Sequence, residues 1–443
     1  MQSICFVDCF TQKKRVRRVS EEVTVRDFFK RMLTTFTWIP KGAMQTTPLH
    51  STDSAEDVRN KLRKMHPDYI EEEAGHLAAE DDDDADSNDG GDASDMFNRF
   101  GGGDAILAQV ESDDDEEIDD TTFKPTDVPF VVSRADPQEP KMELYVYDEP
   151  EDNLYVHHDM TVTAFPLSCA WLTDGTMSLA ALGTMMPFIE IWPLDVIDAV
   201  EPACLLGGCE NSDDNYRRKL KKDKLKEDSH KDAVLALKWN THVQHILASG
   251  SADNSIKLWD LNNQTCVGTY REQEKIQSLD WHHQEANLLL SGGFDGQVIL
   301  RDCRRPEDAA VRWALDDVLE HVEFAFHSNL VYASTSNGTL QALEPRMNST
   351  ALWKLQAHDA ETTFACSRQL PGLVATGGKD GFLALWDARN AAAEPTQIVS
   401  RKYKTGSVMS IAFHPNSPHL IGACGSRGQP LVYTMTQDLA TIF

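Results

Sequence analysis

The stretch HILASGSADNSIKLWDL, residues 245–261, decides the fold of this 443-residue chain. A strand-like run of small residues is followed by a polar turn, an alternating apolar strand and a Trp-Asp pair. The stretch LVATGGKDGFLALWDAR, residues 373–389, has the same order of parts. Short alternating apolar runs predict half-buried β-strands, and Asp and Gly between them predict tight turns. The chain therefore carries at least two copies of one β-hairpin unit.

Weaker copies extend this unit along the chain. The residues at the position of the tryptophan are, in order, Tyr147, Trp192, Trp259, Arg301, Leu343, Trp386 and Tyr433. The intervals between them are 45, 67, 42, 42, 43 and 47 residues. A period near 40–45 with strands ending in Trp-Asp is typical of WD40 blades, and a ring of blades leaves no long sheet edge open. We predict an all-β fold, a seven-bladed WD40 β-propeller, with residues 127–443 forming its main part.

An aromatic residue ends a further strand about twenty residues before most of these positions. The residues concerned are Trp171, Trp239, Trp281, Phe326 and Phe413, and Cys366 takes this place in the sixth copy. The first copy lacks the marker, but TFTWIPKG around Trp38 resembles it, so residues 34–44 are predicted to be the inner strand of blade 1. Residues 1–33 would then be an N-terminal extension, disordered or untranslated, with translation starting at Met1 or Met32. The alternative is that Trp38 belongs to an unpacked leader.

Most of the net charge of −29 lies in one acidic segment. From Asp68 to Asp120 there are 22 acidic residues and one basic residue, so this segment carries −21. Low hydrophobicity and repelling charges predict a disordered acidic insertion in the first blade, residues 67–126, preceded by a short helix over residues 53–66. Ser112 opens SDDDEE, the acidic context preferred by casein kinase II-type kinases. The insertion is either a partner for basic proteins or a spacer.

A basic loop, residues 211–229, fills the long interval between the second and third blades. Its seven basic residues are Arg217, Arg218, Lys219, Lys221, Lys222, Lys224 and Lys226. Clustered positive charge without interleaved aromatic residues favours phosphate contact or nuclear import over base stacking. The alternative is a solvated charged loop.

The two best copies share a set of polar residues at fixed spacing. The set is His230, Ser249, Asp253 and Trp259 in one copy, and His358, Thr376, Asp380 and Trp386 in the other. A His–Asp–hydroxyl set could suggest catalysis, but its repetition at the blade period favours a buried hydrogen-bond network that ties the strands together. Ser291 and Asp295 keep part of the set where Arg301 replaces the tryptophan.

The sequence has no HExxH, phosphate-loop, GxSxG or dinucleotide motif, so we expect no catalytic site and no cofactor or metal. Nine scattered cysteines without a CxxC pair are typical of reduced thiols in an intracellular protein. Long apolar runs are absent, so a membrane is not an expected partner. Because catalytic motifs are absent as well, a small-molecule substrate is not expected either.

Three further stretches resemble the eukaryotic periodic tryptophan protein 1 family. They are MPFIEIWPLDVIDAVEP (186–202), EDNLYVHHDMTVTAFPLS (151–168) and HKDAVLALKWN (230–240). The order of parts is also similar over residues 36–440, although Pro193 stands where the family tends to have Asp. The resemblance implies a WD protein of the nucleus and nucleolus that acts in ribosome biogenesis, in large-subunit precursor assembly and rRNA processing. It also implies rRNA gene transcription and chromatin association, with pre-ribosomal proteins, rRNA and chromatin as partners.

A second functional hypothesis is a substrate receptor of a cullin-type ubiquitin ligase. The stretch Trp386-Asp387-Ala388-Arg389 fits the Trp-Asp-x-Arg pattern with which such receptors bind their adaptor. Arg304 and Arg346 occupy the same place in weaker copies, so this arginine could equally be a general feature of the blade edge.

Overall fold

Seven antiparallel sheets follow one another along the described part of the chain. This computed structural model describes residues 32–50, 122–173, 175, 177–209, 225–305, 310–346 and 351–439. Six sheets have four strands each and the seventh has three described strands, while a two-stranded parallel sheet lies outside the ring. The prediction of an all-β, seven-bladed WD40 propeller is confirmed.

The strands are numbered β1 to β29 in chain order. Blade 1 comprises β1 (Leu33–Trp38), β3 (Asp127–Arg134), β4 (Lys141–Asp148) and β5 (Asn153–Thr161), and blade 2 comprises β6 (Pro166–Thr173), β7 (Ser178–Thr184), β8 (Phe188–Pro193) and β10 (Cys204–Gly207). Blade 3 comprises β11 (Val234–Trp239), β12 (Ile246–Ser251), β13 (Ser255–Asp260) and β14 (Thr265–Arg271), and blade 4 comprises β15 (Ile276–Trp281), β16 (Leu288–Gly293), β17 (Gln297–Asp302) and β18 (Val311–Ala314).

The remaining elements complete the ring. Blade 5 comprises β19 (Leu319–Phe324), β20 (Val331–Thr335), β21 (Thr339–Leu343) and β22 (Trp353–Gln356), and blade 6 comprises β23 (Thr362–Cys366), β24 (Leu373–Gly378), β25 (Phe382–Asp387) and β26 (Thr396–Lys402). Blade 7 comprises β27 (Val408–Phe413), β28 (Leu420–Gly425) and β29 (Leu431–Thr434), followed by the helix α1 (Thr436–Leu439). The parallel pair is β2 (Leu49–His50) with β9 (Val196–Ile197).

Small residues in the second strand of a blade allow the next blade to approach closely. A Cβ atom on Gly250 would lie 2.6 Å from Ile276, and one on Gly377 would lie 2.5 Å from Val408. Each contact joins the second strand of one blade to the inner strand of the next. The small-residue half of the repeat is therefore required by packing between blades, since a larger side chain would force them apart.

The chain enters the ring through β1, which pairs with β3 across the insertion. Trp38 lies opposite Phe130 in this antiparallel ladder. The strand is shorter than the predicted 34–44, because it ends at Trp38 and the following residues cross to blade 2, where Leu49 pairs with Val196. It also begins earlier, since Met32 is buried and its carbonyl accepts a hydrogen bond from Ala135.

Two predicted boundaries of the acidic insertion and the basic loop also shift. The Phe123 side chain is 7% exposed and stacks on His157, so packed structure resumes before the predicted boundary at residue 126. Leu225 forms a β-bridge with Cys209, and Ser229 is buried, so the end of the predicted loop 211–229 belongs to the ring. The predicted helix 53–66 and residues 67–121 lie outside the described residues.

Side-chain packing of β1 on β27 and β28 closes the ring. Phe36 and Trp38 are buried in one cluster with Leu420 and Cys424 of blade 7. A Cβ atom on Gly422 would lie 2.1 Å from the Phe36 ring, so this contact needs glycine. Within the described residues, the first and last blades thus meet through apolar contacts between their sheets.

Candidate functional site

A hydrogen-bond network lies inside blade 3. His230 contacts Asp253 through Nδ1 at 3.1 Å and Ser249 through Nε2 at 2.7 Å, and the indole N–H of Trp259 donates to Ser249 Oγ at 2.8 Å. Ser255, which the sequence analysis did not single out, lies 2.5 Å from Asp253 and 3.1 Å from His230. These contacts join the loop before the inner strand, the second strand and the third strand into one unit.

Electrostatics keep this network in one protonation state. Burial lowers the pKa of His230, although the Asp253 carboxylate opposes this shift. Burial alone would raise the pKa of Asp253, but hydrogen bonds from His230, Ser255 and the Lys231 main-chain N–H outweigh it and hold this pKa well below its usual range. A neutral imidazole and an ionised carboxylate are the states that fit these contacts.

Blade 6 has the same network with threonine as the hydroxyl. His358 contacts Asp380 at 3.1 Å and Thr376 at 2.8 Å, and Trp386 donates to Thr376 Oγ1 at 2.8 Å. In both blades the residue that carries the hydroxyl is 0% exposed, so no substrate carbonyl can reach the oxygen. The arrangement therefore stabilises the blade and cannot act as a nucleophilic triad in this conformation.

Blade 2 replaces this network with a buried glutamate. Trp192 donates its indole N–H to Glu190 Oε2 at 2.9 Å, and the hydroxyl of Thr163 contacts Oε1 of the same carboxylate. Asp195 is 0% exposed and accepts the main-chain N–H groups of Gln45 at 2.8 Å and Ser178 at 2.7 Å. Asp195 thus fastens the chain after β1 to blade 2. It lies two residues after Pro193, the position at which the periodic tryptophan protein 1 family tends to have Asp.

The aromatic residues at the ends of the inner strands connect neighbouring blades. Trp38 donates to the Ala412 carbonyl at 2.9 Å and Trp281 to the Lys238 carbonyl at 3.1 Å, each in the preceding blade. The prediction of Phe326 as the marker of blade 5 is wrong, because β19 ends at Phe324. Phe326 lies beyond the strand and stacks on His283 instead.

The inner strands of blades 3 to 5 place three charged side chains at equivalent positions. Lys238 Nζ lies 3.0 Å from Asp280 Oδ1, and Asp280 Oδ2 accepts the main-chain N–H of Phe324 at 2.8 Å. Glu323 accepts the main-chain N–H of Cys366 at 3.0 Å. Each carboxylate thus fastens its blade to the inner strand of the next blade.

Several buried groups link the stability of the ring to pH. Burial lowers the pKa of His158 to about 3 and of His321 and His414 to about 4, and raises that of Glu320 to about 7. The pKa values of three further histidines are also lowered by burial, those of His230, His282 and His283. As pH falls below about 6.5, the unfolded chain binds protons at these histidines that the folded ring does not bind, so stability is lost. Burial also raises the pKa of Glu323 to about 7. Glu320 and Glu323 have the opposite effect, because their contribution is lost as pH rises toward 7.

The two predicted surface motifs are only partly described. The main-chain N–H of Lys226 donates to the Gly208 carbonyl at 2.9 Å, and its exposed side chain lies at the base of the basic loop. The other six basic residues of the loop lie outside the described residues, and so does the phosphorylation candidate in the acidic insertion. They are Arg217, Arg218, Lys219, Lys221, Lys222, Lys224 and Ser112.

The Trp-Asp-x-Arg stretch forms a local ion pair. The Arg389 guanidinium donates to the Asp387 carboxylate through Nε at 2.9 Å, and its side chain is 46% exposed. Arg304 donates to Asp302 in the same way, also through Nε at 2.9 Å. Because two blades share this pair, it is a feature of the blade edge as well as of the proposed adaptor motif.

The described ranges contain no cluster of three or more His, Cys, Asp or Glu residues that could hold a metal ion. No helix among them has the length and apolarity needed to span a bilayer.

Comparisons with known proteins agree with this geometry. The family model "WD domain, G-beta repeat" matches residues 222–260 and 264–302. A Drosophila melanogaster protein, periodic tryptophan protein 1 homolog, is 32% identical over 330 residues, which cover 72% of this chain and 69% of the relative. Saccharomyces cerevisiae periodic tryptophan protein 1 is 29% identical over 431 residues, covering 82% and 74%. An uncharacterized WD repeat-containing protein of Schizosaccharomyces pombe is 34% identical over 398 residues, covering 85% and 76%.

The fold and these matches define a WD40 repeat protein built as a scaffold. The extent of similarity to the fly and yeast proteins goes further than the repeats alone, since it spans most of both chains. The chain belongs to the periodic tryptophan protein 1 family, as its sequence predicted.

Proposed function

We propose that this chain is a non-catalytic scaffold of ribosome biogenesis that acts in large-subunit precursor assembly and rRNA processing. The observation that carries the proposal is membership of the periodic tryptophan protein 1 family over most of the chain. The family resemblance implies this role, together with rRNA gene transcription and chromatin association. The proposed location is the nucleus, with enrichment in the nucleolus.

The structure supports a scaffold because the polar networks are buried inside the blades and the surfaces of the ring are free to bind partners. The hydroxyl groups of the two polar networks are enclosed between strands, and their hydrogen bonds hold blades together. The ring therefore offers surfaces for binding, for which pre-ribosomal proteins and rRNA are the proposed partners. The ligase-receptor hypothesis has weaker support, because Arg304 forms the same ion pair as Arg389.

The basic loop is the proposed contact with rRNA. Its seven cationic side chains suit phosphate groups, whose binding releases counterions and is therefore weakened by salt. Replacing all seven by Gln should flatten the plot of log affinity against log salt for a pre-rRNA fragment by up to about 5 units, since each phosphate contact on a single strand contributes about 0.7. The same variant should lose nucleolar enrichment in imaging.

A matched control neutralises seven exposed basic side chains elsewhere in the protein. These are Lys41, Lys124, Lys231, Lys354, Lys402, Lys404 and Arg427. The control changes the net charge by the same amount, so it separates a local contact from a general electrostatic effect. An unchanged salt slope in the loop variant, or an equal change in the control, would contradict a dedicated rRNA contact in the loop.

A further inference from the structure

The third strand of blade 7 differs in exposure from the third strands of the other six blades. Those six strands, β4, β8, β13, β17, β21 and β25, are buried at every position except their ends. In β29 no residue is buried, since Leu431, Val432 and Tyr433 are half-buried and Thr434 is exposed. Blade 7 therefore leaves apolar side chains accessible at a position that the other blades enclose.

This difference follows from the strand that lies outside the third strand. In the other six blades a fourth strand of four to nine residues pairs with the third. Among the described residues β29 pairs only with β28, so its outer edge has no strand partner there. The unpaired main-chain groups of an edge strand are a template for pairing with another segment.

The chain that directly follows β29 does not form a fourth strand. Where the other blades lead into that strand, Met435 is followed by the helix α1. Leu439 of this helix is buried in the apolar cluster that joins blades 6 and 7. A strand that pairs with the outer edge of β29 must therefore come from a different segment.

The surroundings of this edge define the kind of segment that fits it. Leu431 and Tyr433 share an apolar cluster with Tyr403, which follows the outer strand of blade 6, and the two tyrosine rings lie 5.6 Å apart. Val432 belongs to a second cluster, together with Leu154 of the outer strand of blade 1. All five side chains are only partly buried, so an added strand would cover apolar surface on both of its faces. The segment that fits is extended and carries apolar side chains on both faces.

We propose that the outer edge of β29 binds an extended segment of a partner protein, which pairs with it as the fourth strand of blade 7. Main-chain hydrogen bonds supply affinity in such strand addition, and the side chains of the added strand supply selectivity. A segment of four residues is long enough, because the shortest fourth strands of the described blades have four. The proposal gives the scaffold a defined binding surface, and it stands whether or not the partner is pre-ribosomal.

Hydrogen exchange tests whether this edge is paired. The full chain purified alone is compared with the full chain isolated from cells together with its bound proteins. In the isolated complex, main-chain exchange over residues 431–434 should be at least tenfold slower than in the chain alone, because pairing protects the N–H groups. Exchange over residues 382–387 of β25 should be equal in both samples, since this strand is already paired on both edges.

Cross-linking identifies the segment that protects the edge. A photo-reactive residue in place of Thr434 should cross-link to one continuous segment of another protein. A synthetic peptide with the sequence of that segment should slow exchange over residues 431–434 of the purified chain. The same peptide with a central proline should not, because proline cannot donate a hydrogen bond to the strand ladder.

Two matched variants separate the edge from the rest of the ring. Leu431→Lys places a charge on the edge strand and should remove both the slow exchange and the cross-links. Leu370→Lys, at a half-buried leucine of the same cluster in a loop of blade 6, should keep both. Thermal unfolding of the two variants shows whether each ring remains folded.

Two results would overturn the proposal. The first is equal exchange over residues 431–434 in the isolated complex and in the chain alone. The second is slow exchange in the full chain alone that is lost in a chain beginning at Met32, because residues 1–31, which lie outside the described residues, would then cover the edge. Neither result depends on whether the chain acts in ribosome biogenesis.

Discussion

Replacing Trp38 by alanine should detach the inner strand of blade 1. The Trp38 side chain is 6% exposed, and its ring meets those of Phe36, Phe130 and His414 edge-on at 5.0–5.2 Å. It also donates a hydrogen bond to Ala412 of blade 7 at 2.9 Å. Because these partners come from both blades that meet at the closure of the ring, the substitution acts on the closure and on the strand together.

The expected loss can be compared with the cost of the long connection. Truncating a buried tryptophan costs about 3–5 kcal/mol, and the lost hydrogen bond contributes about 1 kcal/mol within that range. The ends of the connection are held at His50 and Thr122, and closing the 71 residues between them costs about 2.3 kcal/mol more than closing a five-residue turn. The substitution therefore removes more free energy than the excess cost of the connection, and a loss of about 3–5 kcal/mol should raise the open fraction of β1 by about 10²–10⁴-fold.

Hydrogen exchange over residues 128–148 measures this opening directly, because β3 loses the hydrogen bonds of β1 and becomes the edge strand beside β4. The matched control is Trp259→Ala, which truncates a tryptophan of 0% exposure in blade 3, where no long insertion interrupts the sheet. Exchange over residues 128–148 should rise in the first variant and stay near wild type in the second. Equal exchange in the Trp38 variant and the wild type would refute the account of how blade 1 is held.

Three other outcomes are expected. Gly422→Ala should lower the free energy of unfolding by about 1–3 kcal/mol in a denaturant titration, because its Cβ would clash with Phe36, whereas Gly268→Ala, with no neighbour closer than 3.6 Å, should have little effect. Ser249→Ala should cost about 1–3 kcal/mol by leaving the buried indole N–H of Trp259 and the buried Nε2 of His230 unpaired; a neutral result would mean that this network does not stabilise the blade. Lowering the pH from 6.5 to 5 should lower stability by about 1 kcal/mol, because the buried histidines outnumber the two glutamates, Glu320 and Glu323, that oppose them; a thermal midpoint that rises instead would contradict neutral buried histidines.

The sequence predicted the blades well because their defining contacts are local and repeated. The Trp259 indole and its Ser249 acceptor lie ten residues apart, so the spacing of one hairpin contains the whole contact. Even the discontinuous first blade was predictable, since TFTWIPKG resembles the other inner strands. Phe326 was misassigned because two residues at positions i and i+2, such as Phe324 and Phe326, share one face of an extended strand. Periodicity alone therefore does not show which of them ends the strand.

Contacts between segments that are distant in sequence could not be predicted from the sequence. Asp195 binds the main-chain N–H of Gln45, 150 residues away, and no local spacing signals that pairing. Glu190 takes the place of the His–hydroxyl pair in blade 2, where the repeat pattern offers no equivalent residue. The ion pair of Arg301 with Glu272 likewise depends on the packing of blade 3 against blade 4. Such contacts form only in the assembled ring, and the local sequence around each partner does not predict them.

One purification tests the proposed function most directly. The tagged chain is isolated from growing cells beside its seven-residue basic-loop variant and Arg389→Ala, and the bound RNA and proteins are identified. The scaffold account predicts large-subunit precursor rRNA and assembly proteins with the wild type and Arg389→Ala, and a clear loss with the loop variant. Recovery of a cullin-type ligase and its adaptor instead, dependent on Arg389 and without precursor rRNA, would contradict the account.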